Sequence, residues 1–402
     1  MMIFLLTMIS LFCACDRGDN SNNSAVQDVI PSVESGVVYP GAYQTEQYLP
    51  MIKGQRVGLV VNHTSMIEAV HVVDSLMTLG VDIKMIFAPE HGFKGNAYNG
   101  EEIKDGLYKG RIPIRSLYGK SKKPSAEDLA KVDVVIFDIQ DVGARFYTYI
   151  STLHYVMEAA AESDKKVIIL DRPNPNGHYI DGPIMEKEFE SFVGMHPVPV
   201  VYGMTIGEYA LMINGENWLD KKQQCDLKVI PCDGYTHSRA YDLPIKPSPN
   251  LPNRKSILLY PSLCFFEGTT FSIGRGTESP FQVLGHPEWV GADFGFKPKS
   301  MSGAKYPKHE GKQCSGLEFK KSIDDLQKQQ QLDLSYLFKA YEVSRNENFT
   351  FFNDNNFFEK LAGTRSLRNA LTNGTSETEL RKSWRKDLMK FKLVRRKYLI
   401  YE

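Results

Sequence analysis

Apolar and polar positions come in blocks whose period changes along the first half of the chain. "RVGLVVN" (56–62) is a short apolar run rich in β-branched residues, as in a strand covered on both faces. "HVVDSLMTLG" (71–80) shifts to helical spacing and stops at Gly80. "DIKMIFAPE" (82–90) reads as a second strand, and "SAEDLAKV" (125–132) opens with Ser125 three residues before Asp128, close to a capping box. A third strand, "DVVIFDIQD" (133–141), leads to a long amphipathic helix, "TYISTLHYVMEAAAESD" (148–164). A fourth, "KVIILDRPNPNG" (166–177), runs into turn residues. The alternation predicts an α/β fold: a Rossmann-like, mostly parallel sheet domain over 37–196. "PVPVVYG" (197–203) predicts a further strand. It is followed by the helix "TIGEYALMINGENWL" (205–219), capped by Thr205 with Glu208 at the box position. These open a smaller α/β (α+β) domain over 197–402. "PSPNLPN" (247–253) is proline punctuation, and "FEGTTFSIGRGTESPF" (266–281) is a glycine-rich loop holding Arg275.

The first residues break this pattern. "MMIFLLTMISLFCAC" (1–15) is apolar, has the length of a signal-peptide core and is too short to span a bilayer. It ends at Ala14–Cys15 and gives way to polar "DRGDNSNNS". This resembles a bacterial lipoprotein signal, with Cys15 as the lipidated first residue of the mature chain and 16–36 as a flexible tether. An ordinary cleaved signal is the alternative. Either predicts a location in the cell envelope or periplasm, and in the first the only membrane contact expected is the lipid anchor.

Composition narrows the classes. Of 402 residues, 42% are hydrophobic and 24% charged, ordinary for a globular protein. The 48 basic residues balance 48 acidic ones, so no basic stripe points to nucleic acid and no acidic block to a disordered tail. Beyond the leader, Cys225, Cys232, Cys264 and Cys314 form no CxxC pair, which leaves no sign of a zinc site. Cys225 and Cys232 either pair or stay buried thiols, the blander reading.

In a parallel sheet, functional groups collect beyond the carboxyl ends of the strands. Here those ends carry Asn62 and His63; Glu90 and His91, with Lys94 just after; Asp138, Gln140, Asp141 and Arg145; and Asp171, Arg172 and Asn174. A glutamate in a partly apolar pocket can act as a general acid at neutral pH, which singles out Glu90. Asp141 and Arg145 could instead be a structural pair. Tyr147 could be core or line a sugar subsite. Arg172 could bind a carboxylate on a ligand or pin Asp138 or Asp141. A nicotinamide enzyme is disfavoured because "NHTSMIEA" after the first strand has no glycine for a pyrophosphate. A metal hydrolase built on His63, Glu90, His91 and Asp138 would need a bend, since neighbours on a strand face opposite ways. A non-catalytic sugar-binding lipoprotein would share the cleft without needing a tuned glutamate.

"FAPEHGFKG", "FDIQDVGARFYTYISTL", "LDRPNPNG", "YGMTIGEYA", "PSPNLPN", "FEGTTFSIGRGTESPF", "FEKLAGT" and "RRKYLIY" occur in this order along nearly the whole chain after the tether. Together they resemble the exo-β-N-acetylmuramidase family, long catalogued as a domain of unknown function. The resemblance implies a Rossmann-like domain without nucleotide, a smaller second domain and an active-site cleft between them. It implies hydrolysis of the β-1,4 bond joining a non-reducing-end N-acetylmuramic acid to N-acetylglucosamine in peptidoglycan-derived sugars. The glycine-free first strand-to-helix turn and the lack of spaced ligands add the expectation of no cofactor and no metal. Glu90, in the Pro-Glu-His-Gly motif, is the implied acid. Asp141 is the first candidate for a second carboxylate, then Asp138, then Glu267; the substrate's own acetamido group is another route. The lactyl carboxylate of muramic acid calls for a cation, and Arg172 leads Arg145, Arg275 and Lys94. Asn62, His63, His91, Gln140, Tyr147 and Asn174 complete the expected binding set. The family pattern has a glutamate before the glycine of the Gly-Arg-Gly-Thr loop, where this chain has Ile273.

Overall fold

A computed structural model describes residues 36–95, 105–119 and 121–402. The expected leader, Cys15 and the tether up to residue 35 lie outside the described residues. Helix α1 (Thr45–Ile52) leads into β1 (Arg56–Val61), followed by a hairpin of β2 (Met66–Ile67) and β3 (Val70–His71). Next come α2 (Val72–Thr78), β4 (Asp82–Ala88), β5 (Gly106–Tyr108), β6 (Ile112–Ser116), α3 (Ala126–Leu129) and β7 (Val134–Asp138). Then α4 (Tyr149–Glu162), β8 (Lys166–Leu170), α5 (Ile206–Gly215) and β9 (Leu227–Ile230) complete a seven-stranded sheet of order β5-β6-β4-β1-β7-β8-β9. Every pairing is parallel except β5 with β6.

The strand pleat explains the continuous apolar runs. Val57, Leu59 and Val61 with Ile136, Ile168 and Leu170 fill a core on one face of the sheet. Val60, Val135, Phe137, Val167 and Ile169 point to the other face, into a larger core. That core continues through α4 and α5 into the second half, where it takes in Phe265, Phe271, Phe358 and Trp384.

The second half starts with α6 (Arg254–Leu263) and a small antiparallel sheet, order β10-β12-β11, of β10 (Val283–His286), β11 (Phe294–Phe296) and β12 (Cys314–Glu318). Five helices follow: α7 (Ile323–Gln327), α8 (Ser335–Asn346), α9 (Phe357–Ala362), α10 (Ser366–Asn373) and α11 (Glu377–Arg395). The architecture is thus α/β followed by a smaller α+β part.

Three expectations are corrected. The boundary at 197 falls too early, because α5 and β9 lie beyond it and β9 closes the sheet edge against β8. "PVPVVYG" is not a sheet strand; Val201 makes isolated bridges to Ala144 and Asp181. The third strand ends at Asp138, so Gln140 lies in the following loop and shares no strand face with it. The capping box of Thr205 and Glu208 is present with both reciprocal bonds. The four cysteines beyond the leader are free and buried.

Candidate active site

Strand β4 ends at Ala88 and the chain turns at once. Gly92 N donates to Pro89 O (2.9 Å) and Gly95 N to Gly92 O (3.1 Å), two successive turns. His91 takes a φ of +67°, a left-handed value that a side-chain-bearing residue seldom adopts. A type II turn needs such a value at its third residue, usually supplied by Gly or Asn. A histidine there is local backbone strain at the point where the chain enters the site. The strand has already ended, so Glu90 and His91 do not face opposite ways. Both line one cavity, and both are 7% exposed.

The cavity measures about 440 Å³, within the usual range of small-ligand sites. The sheet half supplies Glu90 and His91, then Tyr147, Thr148 and Tyr149 where α4 begins. Glu267, Arg275 and Phe281 come from the second half. Thr148 Oγ1 donates to Glu90 Oε2 at 2.6 Å. Thr148 is the N-cap of α4, yet its side chain makes no capping bond to the helix, because the hydroxyl is turned to the glutamate. Glu90 therefore sits beside the first turn of a 14-residue helix.

On the other wall, Glu267 accepts from Arg275 Nη2 at 2.5 Å. The turn carrying Glu267 is held from behind by Lys308. Its Nζ donates to the carbonyls of Phe266 (3.0 Å), Glu267 (3.1 Å), Thr269 and Phe271 (3.4 Å). Burial pushes the Lys308 pKa down to about 8. Tyr147 stands edge-on to Tyr149, ring centroids 4.9 Å apart, and donates to Pro247 O at 2.8 Å. Lys122 lies 4.5 Å over the Phe192 ring, and both residues line the cavity.

Five of the expected residues meet here: Glu90, His91, Tyr147, Glu267 and Arg275. The others do not line the cavity, and most serve the scaffold. Arg172 Nε and Nη2 bind the two Asp138 oxygens at 2.5 and 2.9 Å, with the arginine 5% and the aspartate 0% exposed, so neither is free for substrate. Arg145 is fully buried and donates to the carbonyls of Pro183 (2.8 Å), Val198 (2.7 Å), Leu361 (3.0 Å) and Ala362 (2.6 Å). It is no partner of Asp141. Asp141 Oδ2 accepts from Tyr202 and from Gly143 N (2.7 Å), and burial pushes its pKa up to about 6. Asp141 is not among the residues that line the cavity.

Asn62 closes the turn after β1, accepting from Thr64 N (2.9 Å) and donating to Tyr149 OH (3.0 Å). His63 Nε2 meets Lys246 O at 2.9 Å. Gln140 donates to Asp141 O and Pro173 O (2.8 and 2.7 Å), and Asn174 to Met204 O (2.8 Å). Lys94 is exposed and off the cavity wall. The set His63, Glu90, His91 and Asp138 does not converge, since Asp138 faces Arg172 and His63 faces Lys246. Among the described residues no group of three His, Cys, Asp or Glu side chains is placed to hold a metal. Ile273 is 4% exposed and belongs to the main core, so at this position the chain carries packing rather than charge.

The sequence reading missed Thr148, Tyr118, Lys122, Phe192 and Asn250 on the wall. Thr148 had a readable signal as the first polar residue before a long helix. No periodicity marks Lys122 or Phe192, which meet only through the fold.

Comparison with known proteins gives a consistent picture. Residues 57–255 match the family model for the N-terminal part of "Exo-beta-N-acetylmuramidase NamZ", and residues 258–401 match that for the C-terminal part. The chain is 36% identical over 420 residues to the peptidoglycan β-N-acetylmuramidase NamZ of Bacillus subtilis (strain 168), covering 98% of this chain and 97% of that one. A crystal structure of a DUF1343 family protein from Bacteroides fragilis NCTC 9343 superposes with a TM-score of 0.83 at 46% identity, covering 91% of this chain and 99% of the other. A second DUF1343 protein from the same organism gives 0.78 at 29% identity with the same coverage.

Proposed function

The chain belongs to the exo-β-N-acetylmuramidase family, and from that premise we propose how it works. It releases N-acetylmuramic acid from the non-reducing end of peptidoglycan-derived fragments by hydrolysing the β-1,4 bond to N-acetylglucosamine. The observation that carries the mechanism is the Glu90 carboxyl on the cavity wall, held by Thr148 at 2.6 Å. Glu90 gives its proton to the glycosidic oxygen as the bond breaks, so that the N-acetylglucosamine leaves as an alcohol. Water supplies the hydroxyl that bonds to the anomeric carbon, and its proton returns to the carboxylate pair. Glu267 takes the role first given to Asp141, because it is the other carboxylate on the wall. Lys122, at the Phe192 face, reads the lactyl carboxylate in place of Arg172.

The test is turnover of a β-N-acetylmuramic acid substrate with a poor leaving group. Glu90→Gln keeps shape but cannot deliver the proton, and its rate is expected to fall ~10²–10⁴-fold. A folded variant with wild-type turnover removes Glu90 from the role.

The location is proposed from sequence. Cys15 carries lipid and tethers the enzyme to a membrane of the cell envelope, which the apolar run 1–15 and the polar stretch after it support. Growth with radioactive palmitate should label the wild-type protein and not Cys15→Ser; equal labelling, or none in either, rejects the anchor.

A further inference from the structure

Helix α11 has a face that catalysis does not use. Its inward residues Leu380, Trp384 and Phe391 are buried. Lys382, Arg385, Lys386, Lys390 and, at the C-cap, Arg396 are exposed on the outer side. At 3.6 residues per turn these five fall within an arc of about 140°. Met389 and Leu393, 68% and 63% exposed, lie in the middle of that arc. The exposed acid Asp387 lies off the arc, paired with Lys390 at 2.8 Å, and Glu377 and Glu379 are confined to the first turn. Such an exposed pair is weak and leaves the face cationic. The expectation of no basic stripe is thereby corrected. Balanced net charge hides it, because the charges stand three and four apart and merge only once the helix is wound.

We propose that this face of α11 docks on an anionic lipid bilayer. The Lys and Arg side chains sit at the headgroups, and Met389 and Leu393 dip into the interface. Among the described residues no helix is long and apolar enough to cross a membrane, so α11 lies on the surface. An acidic glycan would also satisfy the charges. It would gain nothing from two exposed apolar side chains at the centre of the stripe, whereas a bilayer interface buries them. The inference deepens the proposed membrane location and rests on it for bringing the enzyme near lipid.

The test uses unlipidated protein beginning at Asp16. The described structure begins at residue 36, so this chain keeps every contact reported above. It is sedimented with phosphatidylglycerol-rich vesicles, with pure phosphatidylcholine vesicles and with purified peptidoglycan. Binding is expected to the anionic vesicles and to weaken as salt is raised. Lys386→Gln/Lys390→Gln should weaken it about 25-fold, at roughly fivefold per charge. Met389→Ser/Leu393→Ser should weaken it roughly tenfold with the charge unchanged. Both double variants should turn over a soluble substrate at the wild-type rate, since α11 lines no part of the cavity. A folded, active protein that ignores anionic vesicles overturns the proposal. So does vesicle binding that both double variants retain, or capture by peptidoglycan alone. Absent palmitate label with vesicle binding intact overturns only the anchor at Cys15.

Discussion

A buried guanidinium that already holds a carboxylate cannot also read one on a substrate. Arg172 is in that position with Asp138, both nearly or wholly inaccessible. Arg172→Gln would leave Asp138 buried without its cation, which typically costs about 3–5 kcal/mol. The expected result is a much lower melting temperature with an unchanged preference for the muramic sugar over the glucosaminide. Lys122→Gln should do the reverse. Its melt should match wild type, while the ratio of kcat/KM values narrows roughly tenfold or more, the worth of a charged hydrogen bond. Thermal melts beside kcat/KM for both sugars distinguish the two residues, and a ratio untouched in Lys122→Gln removes it from the site. The sequence offered pairing with Asp138 as one option for Arg172. It could not choose, because residue type sets what a side chain can bind and not which way it points.

Buried acids with raised pKa values follow two of the strands, and these make stability depend on pH. Asp141 follows β7 and Asp171 follows β8, and burial pushes each pKa up to about 6 from 3.8. A raised folded-state value means that the folded protein binds more protons than the unfolded chain between those limits. The stabilisation is present in full below about pH 4 and is lost as the pH rises through 6. Asp141→Asn cannot ionise. Wild-type stability minus that of the variant should therefore fall by roughly 2–3 kcal/mol between pH 4 and pH 7. Urea unfolding at several pH values measures it, and a flat difference would contradict the burial argument. Strands β1, β4, β7 and β8 were legible, because strands buried on both faces are apolar nearly throughout. The short hairpin β2–β3, and β5 and β6 at one edge of the sheet, have few buried residues and were not read. β9 escaped notice for the same reason. It lies at the sheet edge, with only Ile230 of its four residues buried, so its sequence lacks a core strand's signature.

Across the whole molecule, the cavity depends on contacts that no local pattern encodes. Glu90 and Glu267 lie on one wall set although most of the sheet half separates them in sequence. The family resemblance placed both motifs in one protein, but it did not say that Asp141 lies off the cavity wall or that Thr148 lies on it. Those facts depend on how the loop after β7 is packed. Arg145, in that loop, has a consequence of a different kind. Its four acceptors belong to two regions: Pro183 and Val198 before the break between the two family models, Leu361 and Ala362 after it. Cutting the gene between the two models would leave a charged side chain stranded in one fragment and two bare carbonyls in the other. Calorimetry should accordingly show a single transition, moved to lower temperature in Arg145→Met, and two separate transitions would contradict this. Homologues built the same way would exchange halves badly, so recombination between them should favour crossovers that keep the arginine and its distant carbonyls from the same parent.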